Sequence, residues 1–278
     1  VDELGRSGAT VMIQTLPTPP EPWCGHFDRR AAGSVAAQIA ALNNHLVALA
    51  DRHGAVLLDV AGLADLLGRA RWFDHGQWHR AKLPFAIEFV PLYADHVARL
   101  LGALRGKARK CLVLDLDNTC WGGVIGDDGL EGIRIGQGTP EGEAFLAVQT
   151  YALQLKARGI VLAVCSKNED AVARLPFRAH PDMALREEDI AVFVANWTDK
   201  ATNIRHIART LNIGTDALVF LDDNPAERQR VRQMLPEVAV PELHDDPAWC
   251  PAALAQGGYF ETTGLSADAA QRAAQYQG

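Results

Sequence analysis

Cys111-Leu112-Val113-Leu114-Asp115-Leu116-Asp117-Asn118-Thr119 is the stretch on which the fold turns. Four apolar residues read as a buried strand; two carboxylates spaced i and i+2 close it, and a threonine follows. Residues i and i+2 of a strand share a side, so both carboxylates leave the sheet at one mouth. Carboxylates that close repel unless a cation lies between them, and a hard divalent ion with oxygen ligands meets that need. Open α/β sheets carry their chemistry at the carboxyl ends of strands. The bland alternative is a strand that ends in an acidic turn, and the rest of the chain weighs against it.

Moving outward, the same rhythm recurs. A Gly-rich excursion over 121–138, with seven glycines, leads to a helix at about 141–158 and to the strand Ile160 to Cys165. Helix 169–175, a weaker strand Ile190 to Val194 and helix Lys200 to Leu211 follow. The short apolar strand Ala217 to Leu221 again ends in an acidic pair, Asp222-Asp223, before helix 225–234 and strand Glu237 to Val240. Strands alternating with helices of this length predict a doubly wound parallel α/β sheet. Upstream, a strand Ala9 to Leu16, a helix Ala31 to His53, a strand Ala55 to Val60 and helices Ala61 to Ala70 and Ile87 to Leu104 predict a smaller α/β segment. The basic stretch Gly106-Lys107-Ala108-Arg109-Lys110 marks the boundary, giving domains 1–108 and 109–278.

Composition narrows the function. With 278 residues, 48% hydrophobic and 22% charged, the chain is an ordinary globular one. No stretch nears the roughly 20 apolar residues of a membrane helix. Cysteines 24, 111, 120, 165 and 250 form no CxxC pair, which argues against a disulfide framework or zinc site and fits a reducing cytoplasm. The net charge of −7 is uneven: residues 1–108 hold 11 basic and 10 acidic groups, residues 109–278 hold 16 and 24. A nucleic-acid partner asks for the opposite sign. Val1-Asp2-Glu3-Leu4 shows neither an initiator Met nor a signal-peptide pattern, as an excised or processed chain would.

Three strand ends therefore converge. The first supplies Asp115 and Asp117, the second Ser166 and Lys167, the third Asp222 and Asp223, while Lys200 opens a helix between the last two. A nucleophilic carboxylate, a second carboxylate, a hydroxyl, an ammonium and an acidic pair make a phosphoryl-transfer set. A carboxylate attacks phosphorus only when the phosphate charge is masked, and the second carboxylate can protonate the leaving oxygen. Asp222-Asp223-Asn224-Pro225 also reads as a helix cap, and both roles can hold together. Lys200 at a helix start is electrostatically misplaced, which favours a functional role.

This order of residues resembles the haloacid dehalogenase superfamily, with its Asp-x-Asp-x-Thr, Ser/Thr, Lys and acidic pair. The resemblance implies a Rossmann-like fold, Asp115 as nucleophile, Asp117 as acid/base, and Ser166 and Lys200 as phosphate holders. It implies Mg²⁺ on Asp115, the Asp117 main-chain carbonyl and Asp223, with Asp222 close by. Longer strings are similar to the FkbH-like branch: Asp115 to Gly126 (DLDNTCWGGVIG), Cys165-Ser166-Lys167-Asn168, Asn196 to Asn203 (NWTDKATN) and Phe220 to Arg228 (FLDDNPAER). Thr119, Lys167 and Asn168 thereby join the substrate-binding candidates. That branch resembles glyceryl transferase/phosphatases of polyketide assembly, which deliver the three-carbon unit of 1,3-bisphosphoglycerate to an acyl carrier protein. The alternatives are a small-molecule phosphatase with no carrier, and a non-catalytic scaffold. Cys120 departs from the Leu of many relatives.

A thioester product calls for a thiol, so Cys165 is a candidate acyl acceptor and Cys120 its competitor; strand alternation turns Cys165 away from Ser166, and the alternative for both is a plain buried thiol. The segment between the second and third strand ends is too short for a large cap. The stretch 121–138 reads as a hairpin-like flap. Arg228 with Arg232, and Arg205 with Arg209, are four apart and could face an acidic carrier or simply solvent. Arg186 and His180 are placed as guesses for a substrate carboxylate or hydroxyl. Upstream, Trp72-Phe73-Asp74-His75-Gly76-Gln77-Trp78-His79 resembles the closing part of SGNH-hydrolase-like domains. Ser7 and Ser34 stand in no nucleophile-like context, so Asp74, His75 and His79 are expected to make structural contacts at the domain junction, and the segment no catalysis.

Overall fold

A computed structural model describes residues 8–264. Two compact units divide the chain, Val1–Gly106 and Lys107–Gly278.

In the first unit, β1 (Met12–Gln14) and β2 (Val56–Leu58) pair in parallel, Met12 opposite Val56. Between them runs α1 (Val35–His53), then α2 (Val60–Leu67), α3 (Arg69–Trp72), α4 (His75–Ala81) and α5 (Val90–Leu104). The strands are shorter than the apolar runs suggested, because Asp59 ends the second run by capping α2. The expected helix 61–70 breaks at Gly68, which takes φ 88°. Ser34 is buried, accepts the Ala37 amide as the cap of α1 and donates to the Asp28 carbonyl at 2.8 Å. Trp72, fully buried, stacks on Phe85 and Phe89 at 4.7 and 5.7 Å. Asp74 caps α4, His75 pairs with Glu21 at 2.7 Å, and His79 is exposed. Ser7 lies outside the described residues.

The second unit holds the parallel sheet β5-β4-β3-β6, built from β3 (Cys111–Leu114), β4 (Val161–Ser166), β5 (Val192–Ala195) and β6 (Leu218–Leu221). Leu112 faces Leu162 on one side and Val219 on the other. A central strand covered on both faces reads as an unbroken apolar run, and all four residues of β3 are shut off from water. Alternation then splits the core. Leu112, Leu114, Val164 and Leu221 pack with Val148, Ala152 and Leu155 of α7 (Pro140–Ala157) and Phe177 of α8 (Asp170–Ala179). Cys111, Val113, Cys165 and Phe220 pack with Ile204 and Ile207 of α9 (Lys200–Thr210) and Val231 of α10 (Pro225–Met234). Each buried leucine of β3 contributes about 1.5–3 kcal/mol, and this two-sided core fixes where the strand ends lie.

Three local differences have plain causes. The expected strand 237–240 is a single bridge, Val219 to Ala239, since Pro236 and Pro241 confine it. The Gly-rich flap does close through an antiparallel bridge, Gly122 to Arg134, but it encloses a short helix, α6 (Ile125–Gly132). The helix after β4 runs on through Pro176 to Ala179, beyond the expected 175. A last helix, α11 (Cys250–Gln256), adds Cys250 and Leu254 to the first of the two cores. Among the described residues no separate domain interrupts β3 to β6, and no helix is long and apolar enough to cross a membrane.

Candidate active site

The ladder carries one residue past β3: the Asp115 amide donates to the Leu221 carbonyl at 2.9 Å. The Asp115 carboxylate thus emerges at the carboxyl end of the sheet while remaining 6% exposed. The chain then curls, with the Leu116 carbonyl accepting from the Thr119 and Cys120 amides at 3.1 and 2.7 Å. Asn118 takes φ 54°, a left-handed conformation that asparagine tolerates.

Lys200 is delivered by the first turn of α9, which Asp199 caps by accepting the Thr202 amide. Its Nζ lies 2.9 Å from Asp115 Oδ2 and 2.5 Å from Asp222 Oδ2, all three side chains nearly excluded from water. Burial alone would lower the ammonium pKa; Asp115 and Asp222 outweigh it and raise it. For Asp115, burial raises the pKa to about 7, against the pull of Lys200.

The third strand end turns sharply. The Asn224 amide donates to Asp222 Oδ1 at 2.8 Å. Asp223 is exposed at the rim, its amide donating to Thr119 Oγ1 at 3.0 Å. Its pKa is raised by partial burial and by Asp222. Arg228, buried, donates through Nη1 to the Asp222 and Asp223 carbonyls at 2.9 and 2.6 Å. Helical side chains lean toward the N-terminus, so the spacing of Arg228 behind the acidic pair is the signal that could have revealed this clamp.

One carboxylate oxygen each from Asp115, Asp222 and Asp223 lies within 4.8 Å of the others. At an effective dielectric near 20, each such pair repels by about 3 kcal/mol. Lys200 neutralises one of the three charges, and Asp223 makes no contact with it in the ion pairs of the site. An all-oxygen donor set with two uncompensated charges fits a hard divalent cation. Asp117 stands outside this cluster. Its Oδ1 accepts from Trp121 Nε1 and the Ile125 amide, both at 3.0 Å, and its Oδ2 from Asn168 Nδ2 at 2.8 Å. Asn168 Nδ2 also reaches Ser166 Oγ at 3.2 Å, tying the second strand end to the first.

The other expected site residues have partners of their own in the structure. The Lys200 ammonium, expected on phosphate, is held by two carboxylates. Lys167 is paired with Glu227 at 2.6 Å, and Thr119 serves Asp223. Cys165 is fully buried in the core that Val113 shares with α9 and α10, its sulfur 3.8 Å from the Lys200 carbonyl. Cys120 is also buried, 3.2 Å from the Asp115 carbonyl. Burial pushes both thiols well up, so neither presents the thiolate an acyl acceptor needs. Of the four arginines, Arg228 is the buried clamp, Arg205 donates to the Met234 carbonyl, Arg232 to that of Val240, and Arg209 is exposed. The Arg186 amide donates to Asp189 Oδ2 at 2.7 Å, and His180 Nδ1 accepts the Asp182 amide at 3.2 Å. Sequence reasoning missed the indole of Trp121 as a partner of Asp117.

The chain is similar to the N-terminal part of the protein BF1531 from Bacteroides fragilis, a structure containing a phosphatase domain complexed with Mg. The TM-score is 0.88 at 39% identity, over 95% of this chain and 72% of that one. This chain belongs to the haloacid dehalogenase superfamily. Two remoter matches carry no argument for the superfamily assignment. An uncharacterized protein from Corynebacterium glutamicum scores 0.37 at 12% identity, over 56% of this chain and 97% of that one. A putative HAD superfamily (subfamily III A) hydrolase from Legionella pneumophila scores 0.35 at 16% identity, over 66% and 96%. Neither a family model nor a curated protein matches the sequence. Asp115 and the acidic pair stand at the ends of the neighbouring strands β3 and β6, and Lys200 reaches them from the first turn of α9.

Proposed function

We propose that this chain is a Mg²⁺-dependent phosphohydrolase of small phosphorylated compounds that uses Asp115 as nucleophile. The observation that carries it is the buried Asp115–Lys200–Asp222 arrangement with Asp223 at its rim. Asp115, Asp223 and the Asp117 main-chain carbonyl, with Asp222 beside them, would hold Mg²⁺, which when bound would mask phosphate charge. Lys200 orients Asp115 and favours its ionised form against the effect of burial. Asp115 attacks phosphorus, the bond to the leaving oxygen breaks, and Asp117 supplies that oxygen with a proton. Asp117 then takes a proton from the water that hydrolyses the aspartyl phosphate. Phosphate release from simple esters, with Mg²⁺ or with EDTA, tests this reading. Turnover insensitive to EDTA, or surviving Asp115→Asn, refutes it.

The finer reading is glyceryl transfer from 1,3-bisphosphoglycerate to an acyl carrier protein. It rests on the long FkbH-like strings and on strand ends uncrowded by an inserted domain. With Cys165 and Cys120 buried, the acyl group passes directly: the carrier's pantetheine sulfur bonds to the acyl carbon, the 1-phosphate departs, and the 3-phosphate is removed at Asp115. Intact mass of a holo carrier protein after incubation with the enzyme, Mg²⁺ and bisphosphoglycerate checks this. A glyceryl adduct formed by Cys120→Ala and Cys165→Ala as well supports direct transfer. Free phosphate alone leaves a phosphatase, and no turnover a scaffold. The 1–106 unit, with its resemblance to SGNH-like domains, is assigned no catalysis, since Ser34 is a buried helix cap.

A further inference from the structure

Asp117 makes no ion pair among the described residues, yet three donors hold its carboxylate, one of them the indole of Trp121. Trp121 follows Asp117 by four residues and bridges back to it. Its ring is fully buried and meets Phe177 edge-on at 6.0 Å; Phe177 in turn meets Phe193 at 5.4 Å. A ring fixed on that scale has one orientation, so its N–H points in one direction. That direction ends on Asp117 Oδ1. The turn that allows it is equally specific: a Cβ on Gly122 would come within 2.8 Å of Phe145, and Gly123 takes φ 96°.

A carboxylate oxygen offers two acceptor sites. Oδ1 accepts from Trp121 Nε1 and from the Ile125 amide, so both of its sites are used. Oδ2 accepts from Asn168 alone, which leaves one site, and a transferable proton can sit only there. We infer that Trp121 and Asn168 are positioning residues that lock the Asp117 carboxyl in one rotation and commit Oδ2 to the proton exchange with the leaving oxygen. The inference rests on the phosphohydrolase reading and goes beyond it by naming what sets the acid's geometry. In the step concerned, an Asp115 oxygen bonds to phosphorus, the ester P–O bond breaks with its electron pair on oxygen, and the Oδ2 proton moves to that oxygen. An alkoxide needs the proton in order to leave; acetate, leaving from acetyl phosphate, does not.

The experiment compares kcat/KM, which reports this first transfer, for glycerol 3-phosphate and acetyl phosphate in the full chain with Mg²⁺. Trp121→Phe keeps a ring against Phe177 and removes the N–H. The ratio of the alkyl to the acyl phosphate value is expected to fall about tenfold to a hundredfold, part of the range that general acid catalysis spans. Asn168→Ala is expected to lower the same ratio, and it provides a second reading should Trp121→Phe fold poorly. A ratio unchanged in the folded variants, with both substrates losing equally, overturns the positioning role and leaves the phosphohydrolase reading intact. A wild type that turns over neither substrate overturns that reading, and this inference with it.

Discussion

Lys200 Nζ and Asp222 Oδ2 lie 2.5 Å apart with side chains 4% and 0% exposed. Such a pair is weak proof of stability, but breaking it from one side strands a charge. Lys200→Met keeps the stem and leaves Asp115 and Asp222 buried without a counter-charge. The expected loss is about 3–5 kcal/mol, read from the urea midpoint at constant slope. Adding Asp222→Asn should recover part of it. A loss under about 1 kcal/mol, the scale of an exposed pair, would show that water reaches the cluster freely.

Mg²⁺ binding should strengthen as pH rises. Burial lifts Asp115 to about 7 in the folded chain, above its unfolded value of about 4. A group shifted that way favours folding fully below the unfolded value, and that contribution is lost as pH climbs through the folded one. The proton and the cation compete for the same carboxylate, so the Mg²⁺-induced rise in Tm should grow from about pH 5.5 to about pH 8. Asp115→Asn should flatten the trend. A rise of equal size at both ends would place the cation elsewhere.

Gly123 should resist substitution. Its φ is 96°, and an added Cβ would stand 2.4 Å from Asp128 Oδ2, the oxygen that accepts the Val124 amide at 2.7 Å. Gly123→Ala is expected to destabilise by about 1–3 kcal/mol and to reduce turnover by shifting the turn behind Trp121. Thermal melting and phosphate release measure the two effects separately. Gly129→Ala makes a useful contrast, since its φ of 66° carries strain but its Cβ meets nothing within 4 Å.

Acid should loosen one surface corner early. The Glu187 pKa is lowered to about 2, first by the Arg178 hydrogen bond, then by Arg174. A carboxylate depressed in this way contributes stability above its unfolded value of about 4.3 and loses it as pH falls toward 2. Arg178 is 58% exposed, so solvent screens the interaction. Glu187→Gln should cost about 1 kcal/mol or less at neutral pH, and nothing once pH is below the folded value. Chemical denaturation at pH 7 and at about pH 1.5 compares them.

How much was readable from residues alone followed the range of the interactions. A strand packed on both faces announces itself, and the acidic pairs at Asp115 and Asp222 stood where apolar runs stopped. What a side chain does once there depends on partners far away in sequence. Lys167 finds Glu227 sixty residues on, and Lys200 finds Asp222 twenty-two on; no local pattern encodes either. The helical turns inside the flap were hidden by their glycines, whose low helical propensity still shows as a kink at Gly129, while Ile125 and Ile133 at either end join the core. The thiols misled for a related reason. Cys165 adjoins Ser166 in the chain, yet alternation sends it to the opposite core.

Four of the five sulfurs are sealed inside, and Cys24 alone is exposed. Nature has thus left one chemical handle on the surface of the first unit, far along the chain from the carboxylates. A maleimide dye under native conditions should attach there once, giving a uniformly labelled protein for anisotropy or energy-transfer work without any engineered cysteine.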